Sequence, residues 1–276
     1  MKIAVLITCH NRKTKTLASL ESLFQSVLPE GYSLHIILVD DGSTDGTNET
    51  VLALYPSVDI IKGNGDLYWN KGMHRAFARA MEMSFDAYLW LNDDTILYPA
   101  AIDTLLKTWH LTKSQTETDA IIVGSTHGLD RAQLTYGGVV RKSAFKRFRY
   151  ILVEPSSQPV ECHAMNGNCV LVPHAVAQCI GNLEPGFSHA MGDIDYGLRA
   201  RKVGIKLWIA PAYVGICEWN SNSGTFNDRA LPLNQRWKKM MHPKGLPPKS
   251  WRLFTCRHGG TFWPLYFVWP YLRVLF

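Results

Sequence analysis

The chain has 276 residues, of which 46% are hydrophobic and 19% are charged. This composition suits a soluble, enzyme-like globule and excludes a disordered chain. The formal net charge of +6 is compatible with a phosphate-bearing ligand, a nucleic acid or an anionic membrane surface, and it selects none of them. No apolar run reaches the roughly 20 residues that a membrane-spanning helix needs.

The cysteines and the amino terminus predict the compartment. The six cysteines form no CxxC pair and have no zinc-like spacing with histidines. The opening "MKIAVLITCHNR" lacks the longer apolar core and the small-residue cleavage site of a signal peptide. We therefore expect reduced thiols and a cytosolic protein.

The first hundred residues alternate apolar runs with segments of helical spacing. Four runs predict buried strands, "KIAVLIT", "LHIILVD", "VDIIKG" and "DAYLWL". Between them, "TKTLASLESLFQSV", "DGSTDGTNETVLALYP" and "NKGMHRAFARAMEM" predict helices. Strands that are apolar throughout and separated by helices predict a parallel sheet covered on both faces.

Polar clusters follow each of these four strands. They are Thr8–Asn11, Asp40–Gly42, Asn64–Asp66 and Asn92–Asp94. Ligands of doubly wound sheets bind beyond the carboxyl ends of the strands. The placement therefore predicts one binding site at this edge of the sheet.

From about residue 120 the pattern is mixed. "LTYGGVVRK" predicts the start of a hairpin, "CVLVPHAVAQCIG" a strand and a helix, and "GDIDYGLRARKVG" a helix that ends near Gly204. "SAFKRFRYILVE" interleaves aromatic residues with Lys146, Arg147 and Arg149, next to Lys142. Since no repeat or linker interrupts the chain, we expect one domain over residues 1–225.

Residues 226–276 form a different segment, rich in proline, aromatic and basic residues, for example "SWRLFTCRHGGTFWPLYFVWPYLRVLF". Aromatic and basic residues on a short apolar segment are typical of a membrane interface. The alternative is a C-terminal strap packed over the domain.

Six motifs in register identify a family. "VLITCHNR", "IILVDDGSTDGT", "NKGMHRAFARA", "LNDDT", "MNGNCVLV" and "GDIDYGLRARKVG" resemble those of the family 2 glycosyltransferases, above all the branch with bacterial rhamnosyltransferases and related surface-polysaccharide enzymes. The resemblance spans roughly residues 3–215. It implies an α/β GT-A fold with a Rossmann-like, mainly parallel sheet flanked by helices, a nucleotide-sugar donor, Mg²⁺ or Mn²⁺, and inversion at the anomeric carbon.

The resemblance assigns a metal ligand. Asp94 matches the last aspartate of the family's DxD-type motif, whereas the first position is Asn92. Hard divalent cations prefer oxygen ligands, and a cation can neutralise the charge that develops on leaving phosphates. With one direct carboxylate, phosphate oxygens and water would complete the coordination. Asp93 is assigned to ribose or sugar; the alternative is that both carboxylates cap a turn.

Further positions match the family's nucleotide site. Asp40 and Asp41 stand where the base and ribose bind, and a carboxylate can accept the N3 proton of uracil or thymine. The loop with Thr8, His10 and Asn11 matches the first nucleotide loop. There His10 either stacks on the base or is a plain loop residue.

The segment "GNGDLYWNKGM" resembles the one that lies along the donor. Asp66 and Asn70 are the expected contacts. Lys71 either meets the diphosphate at a helix start, where backbone amides favour anions, or is a solvated lysine.

An inverting transfer needs a base that takes the proton of the acceptor hydroxyl. Asp193 matches the family's catalytic aspartate, with Gly192 in place of the usual acidic neighbour. Asp195 is the alternative base, although helical spacing predicts a structural pair with Arg199. His189 either lines the acceptor site or is structural.

Many relatives carry a late histidine near the metal. This chain has Cys217 and Glu218 there, so Glu218 is the candidate substitute. We expect the following "NSNSGTF" to be a loop that closes over the donor.

These residues favour an inverting glycosyltransferase that moves a sugar, rhamnose before others, from a dTDP- or UDP-sugar to a lipid-linked or growing surface glycan. We expect the acceptor on a polyprenyl diphosphate and the protein peripheral at the inner face of the cell membrane. The alternative is an inactive binding or scaffold protein. A nucleotidyltransferase lacks support because "TCHNRKTKT" has no glycine-rich loop, and no nucleic-acid-binding module is recognisable.

Overall fold

A computed structural model describes residues 1–130, 133–143 and 147–276; Lys146 of the basic and aromatic stretch lies outside these residues. Their strands are β1 (Lys2–Cys9), β2 (Ser33–Asp40), β3 (Asp59–Lys62), β4 (Ala87–Leu91), β5 (Ile96–Leu97), β6 (Ile121–His127), β7 (Leu134–Tyr136), β8 (Gly138–Arg141), β9 (Tyr150–Leu152), β10 (Val160–Cys162), β11 (Ala164–Met165), β12 (Cys169–Pro173) and β13 (Leu207–Ile216).

The helices in the same residues are α1 (Lys13–Phe24), α2 (Thr47–Leu54), α3 (Tyr68–Met81), α4 (Ala101–Thr116), α5 (His174–Ile180), α6 (Gly192–Lys202), α7 (Leu233–Met241), α8 (Pro248–His258) and α9 (Trp263–Arg273), with a 3-10 turn at Gly260–Phe262. The four strands and three helices predicted in the first hundred residues are confirmed. The strand and helix at β12 and α5 and the helix α6 are confirmed as well.

The central sheet has the strand order β10-β13-β6-β12-β4-β1-β2-β3. Strands β4, β1, β2 and β3 pair in parallel. Because β12 is antiparallel to both β4 and β6, and β6 is parallel to β13, six of the eight strands on this path run the same way. The predicted mainly parallel sheet is confirmed, with β12 as an antiparallel insertion.

Alternate residues of the central strands pack into two cores, one on each face of the sheet. Leu6 of β1 lies in the core that α3 covers, and Ile7, the next residue, lies in the core that α1 and α4 cover. On α3, Met73, Ala76 and Phe77 are fully buried at helical spacing. Coverage of both faces therefore leaves the carboxyl ends of the strands as the open edge.

The predicted hairpin around residue 138 divides between two sheets. β7 pairs with β6 of the central sheet, whereas β8 pairs antiparallel with β9 and with β11 in a separate three-stranded sheet. Gly204 has a φ of +86° two residues beyond α6, the left-handed conformation that commonly follows a helix end.

The C-terminal segment divides into two parts. Trp251 and Phe254 of α8 are buried in a third core with Phe187 and with Leu198 of α6, so α8 is a strap on the domain. On α9 no residue is buried, and Leu265 and Trp269 are 69% and 64% exposed. Among the described residues, no helix combines the length and apolarity needed to span a membrane.

Candidate active site

One cavity of about 630 Å³ lies at the carboxyl ends of β1, β2 and β4. Asp41 directly follows β2, and Asp94 is the third residue after β4. Both line the cavity together with Asp193, which lies in the first turn of α6. The three acidic groups that the sequence assigned to base recognition, cation binding and proton transfer thus share one cavity. Thr8, His10, Asp93 and His189 also line it.

Arg12 holds the two adjacent aspartates. Its Nη1 donates to Asp93 Oδ1 at 2.8 Å, and its Nη2 donates to Asp94 Oδ2. Lys15 Nζ lies 4.0 Å from the same oxygen of Asp94. Burial and the neighbouring charge of Asp94 raise the pKa of Asp93 to about 7, against the opposing effect of Arg12. The site therefore carries its own cation, which the motifs did not single out.

The oxygen atoms at the Asp93–Asp94 turn are the candidate ligands of a divalent cation. Asp93 Oδ2 is buried and has no hydrogen-bond partner, and carboxylate oxygens suit Mg²⁺ or Mn²⁺. Asn92 Oδ1 accepts a hydrogen bond from Trp69 Nε1 at 2.7 Å, so this amide is already used. In the described part of the chain, no group of three or more His, Cys, Asp or Glu residues is placed to hold a metal. The two carboxylates therefore fit a cation that takes most of its other ligands from phosphate and water.

Cys217 lies beside the same turn. Its thiol is buried and lies 3.6 Å from Asp94 Oδ1, and Asn168 Nδ2 lies 3.4 Å from its sulfur. Burial and the charge of Asp94 raise the pKa of this thiol to about 12. Cys217 is thus a neutral donor to Asp94 and not a thiolate ligand.

Asp193 is held by backbone amides. Its Oδ2 accepts from the amide of Gly167 at 3.1 Å, and its Oδ1 accepts from the amide of Ile194 at 2.8 Å. Burial raises the pKa of the carboxyl group above its ordinary value of 3.8, although these hydrogen bonds oppose the shift. A carboxylate with a raised pKa is a stronger base toward a hydroxyl proton.

A steric constraint explains why a glycine precedes Asp193. A Cβ built on Gly192 would lie 1.6 Å from Asn70 Oδ1. The side chain of Asn70 is fixed because its Nδ2 donates to the carbonyl oxygens of Glu184 and Phe187, at 2.8 and 3.0 Å. The departure from the family pattern at Gly192 therefore makes room for a buried amide that joins α3 to the loop before α6.

Asp41 fixes the start of α3. Its Oδ1 accepts from the amide of Gly65 at 2.8 Å, and its Oδ2 accepts from the amides of Leu67 and Tyr68 at 2.9 and 3.0 Å. A carboxylate has about four acceptor positions, so one position remains for a ligand. Asp41 thus already uses the amides of Leu67 and Tyr68 at this helix start, close to the position of Lys71, beside which the diphosphate was expected.

Two histidines and a lysine also line the cavity. His189, His242 and Lys244 line the cavity with Tyr68, whose ring centroid lies 6.3 Å from that of His189 and 5.9 Å from that of His242. Burial, with the charges of Lys244, His242 and Arg12, lowers the pKa of His189 to about 4. His189 is therefore neutral at physiological pH. His242 and Lys244 belong to the C-terminal segment, which the sequence pattern had kept apart from the site.

Several residues assigned from the sequence do not line this cavity. They are Asn11, Asp40, Asp66, Asn70, Lys71, Asp195 and Glu218. Asn11 connects two loops, since its Oδ1 accepts from the amide of Thr44 at 2.7 Å, and Glu218 accepts from the amide of Leu129 at 2.5 Å. Asp40 is buried and accepts from the amide of Ser43 at 3.0 Å. Their functional assignments stay predictions.

Asp195 lies in an ion cluster between α6 and α8. Its side chain is 0% exposed and contacts Arg199 at 2.8 Å and Arg257 at 2.9 Å, and His258 Nε2 lies 2.8 Å from its Oδ1. Arg257 also pairs with Glu184 at 2.5 Å. Burial alone raises the pKa of Asp195, but the hydrogen bond to His258 and the two arginines produce a net lowering. The positive charges of the two arginines therefore balance the negative charges of the Asp195 and Glu184 carboxylates.

Some residues that line the cavity were not predicted from the sequence, and the sequence indicates them to different degrees. Arg12 stands inside the family motif "VLITCHNR", and Trp69 stands inside the donor segment "GNGDLYWNKGM"; a guanidinium next to an anion site is itself a signal. His242 and Lys244 stand in "MHPKG", where only the three-dimensional fold brings them to the cavity.

Comparison with known proteins identifies the family. The family model described as Glycosyl transferase family 2 matches residues 4–172, which is more than half of the chain. The chain belongs to glycosyl transferase family 2. It is 27% identical over 192 residues to the N-acetylglucosaminyl-diphospho-decaprenol L-rhamnosyltransferase of Mycobacterium tuberculosis, and this match covers 61% of each chain. The aligned part thus spans less than two thirds of that relative.

Solved structures share the fold. The mannosyltransferase PcManGT from Pyrobaculum calidifontis, in complex with GDP-Man and Mn²⁺, superposes with a TM-score of 0.55 at 13% identity, covering 87% of this chain and 62% of that one. S. aureus TarS 1-349 in complex with UDP-GlcNAc superposes with a TM-score of 0.58 at 12% identity, covering 92% and 71%. This family 2 chain therefore has the GT-A fold that its sequence predicted.

Proposed function

We propose that this family 2 chain is an inverting glycosyltransferase that moves a sugar from a dTDP- or UDP-sugar to a lipid-linked or growing surface glycan. The observation that carries the proposal is the convergence of Asp41, Asp94 and Asp193 on one cavity. Such a transfer needs three functions: a carboxylate that binds the nucleobase, a site for the positive charge that balances the diphosphate, and an acceptor for the hydroxyl proton.

The proton acceptor in this proposal is Asp193. The acceptor hydroxyl oxygen forms a bond to the anomeric carbon as the bond to the diphosphate oxygen breaks, and the hydroxyl proton passes to the Asp193 carboxylate. Its two amide donors fix the carboxylate's direction, and its raised pKa strengthens it as a base. Attack from the face opposite the leaving group gives inversion.

The negative charge on the leaving diphosphate needs a counter-charge. Mg²⁺ or Mn²⁺ at Asp94 would supply a Lewis acid for the phosphate oxygens. Arg12 already lies on Asp93 and Asp94, so its guanidinium is a second source of positive charge, with a planar array of donors that suits phosphate. The mannosyltransferase of the same fold is in complex with Mn²⁺, which supports the cation.

The residues and the relatives support the proposed donor and acceptor. A free acceptor position on Asp41 suits the N3 proton of uracil or thymine, and the TarS structure contains UDP-GlcNAc. The mycobacterial relative's name contains both rhamnose and a diphospho-decaprenol acceptor, which supports rhamnose and a polyprenyl diphosphate. The exposed apolar residues of α9 support a peripheral position at the inner face of the membrane.

A nucleotide panel tests the donor assignment. UDP, dTDP, GDP and CDP are added with and without Mn²⁺, and the melting temperature is recorded, since a ligand that binds the folded state raises it. UDP or dTDP is expected to give the largest increase, and Mn²⁺ is expected to enlarge it. A larger increase with GDP, the nucleotide of the mannosyltransferase complex, would contradict the role of Asp41.

A further inference from the structure

A second cavity, of about 550 Å³, adjoins the candidate active site. Its lining includes Thr225 and Phe226, the end of α7 and the turn that follows α7. The ionisable groups that line it are Lys238, Lys239, Lys244 and His242, with no aspartate or glutamate among them. We call this cavity the lysine groove.

The lysine groove borders the active-site cavity, because His242 and Lys244 line both cavities. They are close enough to His189 for their charges to contribute to its lowered pKa, and His189 lines the active-site cavity with Asp193. A molecule in the groove can therefore extend past His242 toward the carboxylate of Asp193.

The positive charge of the groove is largely uncompensated. Among the described residues, no carboxylate forms an ion pair with Lys238, Lys239 or Lys244. Asp228 acts on Lys239 at a distance, but its carboxylate accepts from the amides of Gly224 and Ala230. Like charges near one another repel, and a multivalent anion between them removes that repulsion.

An exposed apolar surface lies beside the groove. Trp237 precedes the two groove lysines on α7, and its ring centroid lies 6.3 Å from that of Tyr271 on α9. On α9, Leu265 and Trp269 are largely exposed. The groove thus joins a cationic pocket to an apolar face, which matches a diphosphate attached to a hydrocarbon chain.

We propose that the lysine groove binds the diphosphate of the lipid-linked acceptor, with the lipid chain along α9 and the acceptor sugar extending past His242 toward Asp193. This inference rests on the proposed function and adds the acceptor-binding site. The lysines bind and position the acceptor, and they take no part in proton transfer.

Binding of farnesyl diphosphate tests the proposal, with farnesol and inorganic pyrophosphate as probes of the chain and the charge alone. The wild-type protein is expected to bind farnesyl diphosphate at least about tenfold more tightly than either, because charge and chain contribute together. The double variant Lys238→Gln, Lys239→Gln is expected to bind farnesyl diphosphate about tenfold more weakly than the wild type. This difference between the two proteins is expected to be smaller at high salt, because salt screens exposed charges.

The control variant is Lys249→Gln, an exposed lysine on α8 that lines neither cavity; it is expected to bind farnesyl diphosphate as the wild type does. UDP binding is measured in parallel and is expected to be equal in all three proteins. If the double variant loses UDP affinity instead, the groove binds the donor's diphosphate and the proposal is wrong. Equal affinity for farnesol and farnesyl diphosphate would also overturn it, whereas failure of UDP binding in the wild type would count against the proposed function alone.

Discussion

Asp193 and Asp195 lie two residues apart on α6, and their surroundings are opposite. Asp193 lines the cavity and accepts from the backbone amides of Gly167 and Ile194, and burial raises its pKa; within the described part of the chain it forms no ion pair. Asp195 is fully buried against Arg199, Arg257 and His258, which give it a lowered pKa. The same helix turn thus presents one carboxylate to a ligand and uses the other to hold α8.

The difference shows what makes a carboxylate available for chemistry. An ion-paired carboxylate is a weak base, because its charge is already stabilised, and its removal leaves buried cations behind. A carboxylate held only by amides keeps its orientation and stays basic. Both residues were candidates for the base from the sequence, and only Asp193 lines the cavity.

The largest effect on stability is expected for Asp195→Asn. The substitution leaves Arg199 and Arg257 without their buried counter-charge, which typically costs about 3–5 kcal/mol of unfolding free energy. Urea unfolding measures this cost. The control is Asp103→Asn, whose exposed pair with Lys107 contributes at most about 1 kcal/mol. Equal losses in the two variants would show that the cluster does not hold α8 to the domain.

A smaller effect is expected for Arg12→Ala. Without the guanidinium, Asp93 and Asp94 repel each other, and we expect a loss of about 1 kcal/mol for these partly exposed pairs. Mn²⁺ is expected to raise the melting temperature of this variant more than that of the wild type, because the cation replaces the missing charge.

The matched control for Arg12 is Arg79→Ala, which removes a surface arginine paired with Asp59 and Glu82. It is expected to respond to Mn²⁺ as the wild type does. If Mn²⁺ stabilises Arg12→Ala no more than this control, then Arg12 and the cation do not share the Asp93–Asp94 turn.

The third expected effect depends on pH and arises from the titration of His189. Its pKa is about 4 in the folded state against an ordinary 6.5, so between these values only the unfolded state binds the proton. The unfolding free energy therefore falls as the pH is lowered through this window, by less than about 1.4 kcal/mol per pH unit. Asp93, with a raised pKa, has the opposite effect, so the contribution of His189 is the difference between wild type and His189→Gln.

Urea midpoints of these two proteins at pH 7 and pH 5 measure that difference. The wild type is expected to lose more stability, or gain less, than His189→Gln when the pH falls. Parallel changes in the two proteins would mean that His189 is not buried as a neutral group beside Lys244.

The sequence predicted the part of the site that depends on local pattern. Apolar runs and helical spacing were enough for β1 to β4, and the ends of these strands located Asp41 and Asp94 on one edge. Each of these features is local, because a strand's burial and its end are both visible within about ten residues.

The rest depended on contacts that periodicity does not encode. Arg257 reaches Asp195 across 62 positions of the chain, and His242 and Lys244 approach the cavity from beyond α7. The composition of residues 226–276 suggested a segment separate from the domain, yet residues of α8 and α6 pack in the same hydrophobic core. The antiparallel insertion of β12 between β4 and β6 also has no local pattern that distinguishes it from a parallel strand.

The central claim is that Asp193 takes the proton in a sugar transfer at this cavity. The direct test is the single-turnover rate of transfer from a dTDP- or UDP-sugar to a polyprenyl-diphosphate-linked acceptor, measured for wild type and for Asp193→Asn at equal UDP occupancy. We expect the variant to bind UDP normally and to transfer about 10²–10⁴ times more slowly, the usual contribution of a general base. Equal rates in wild type and variant would contradict the account.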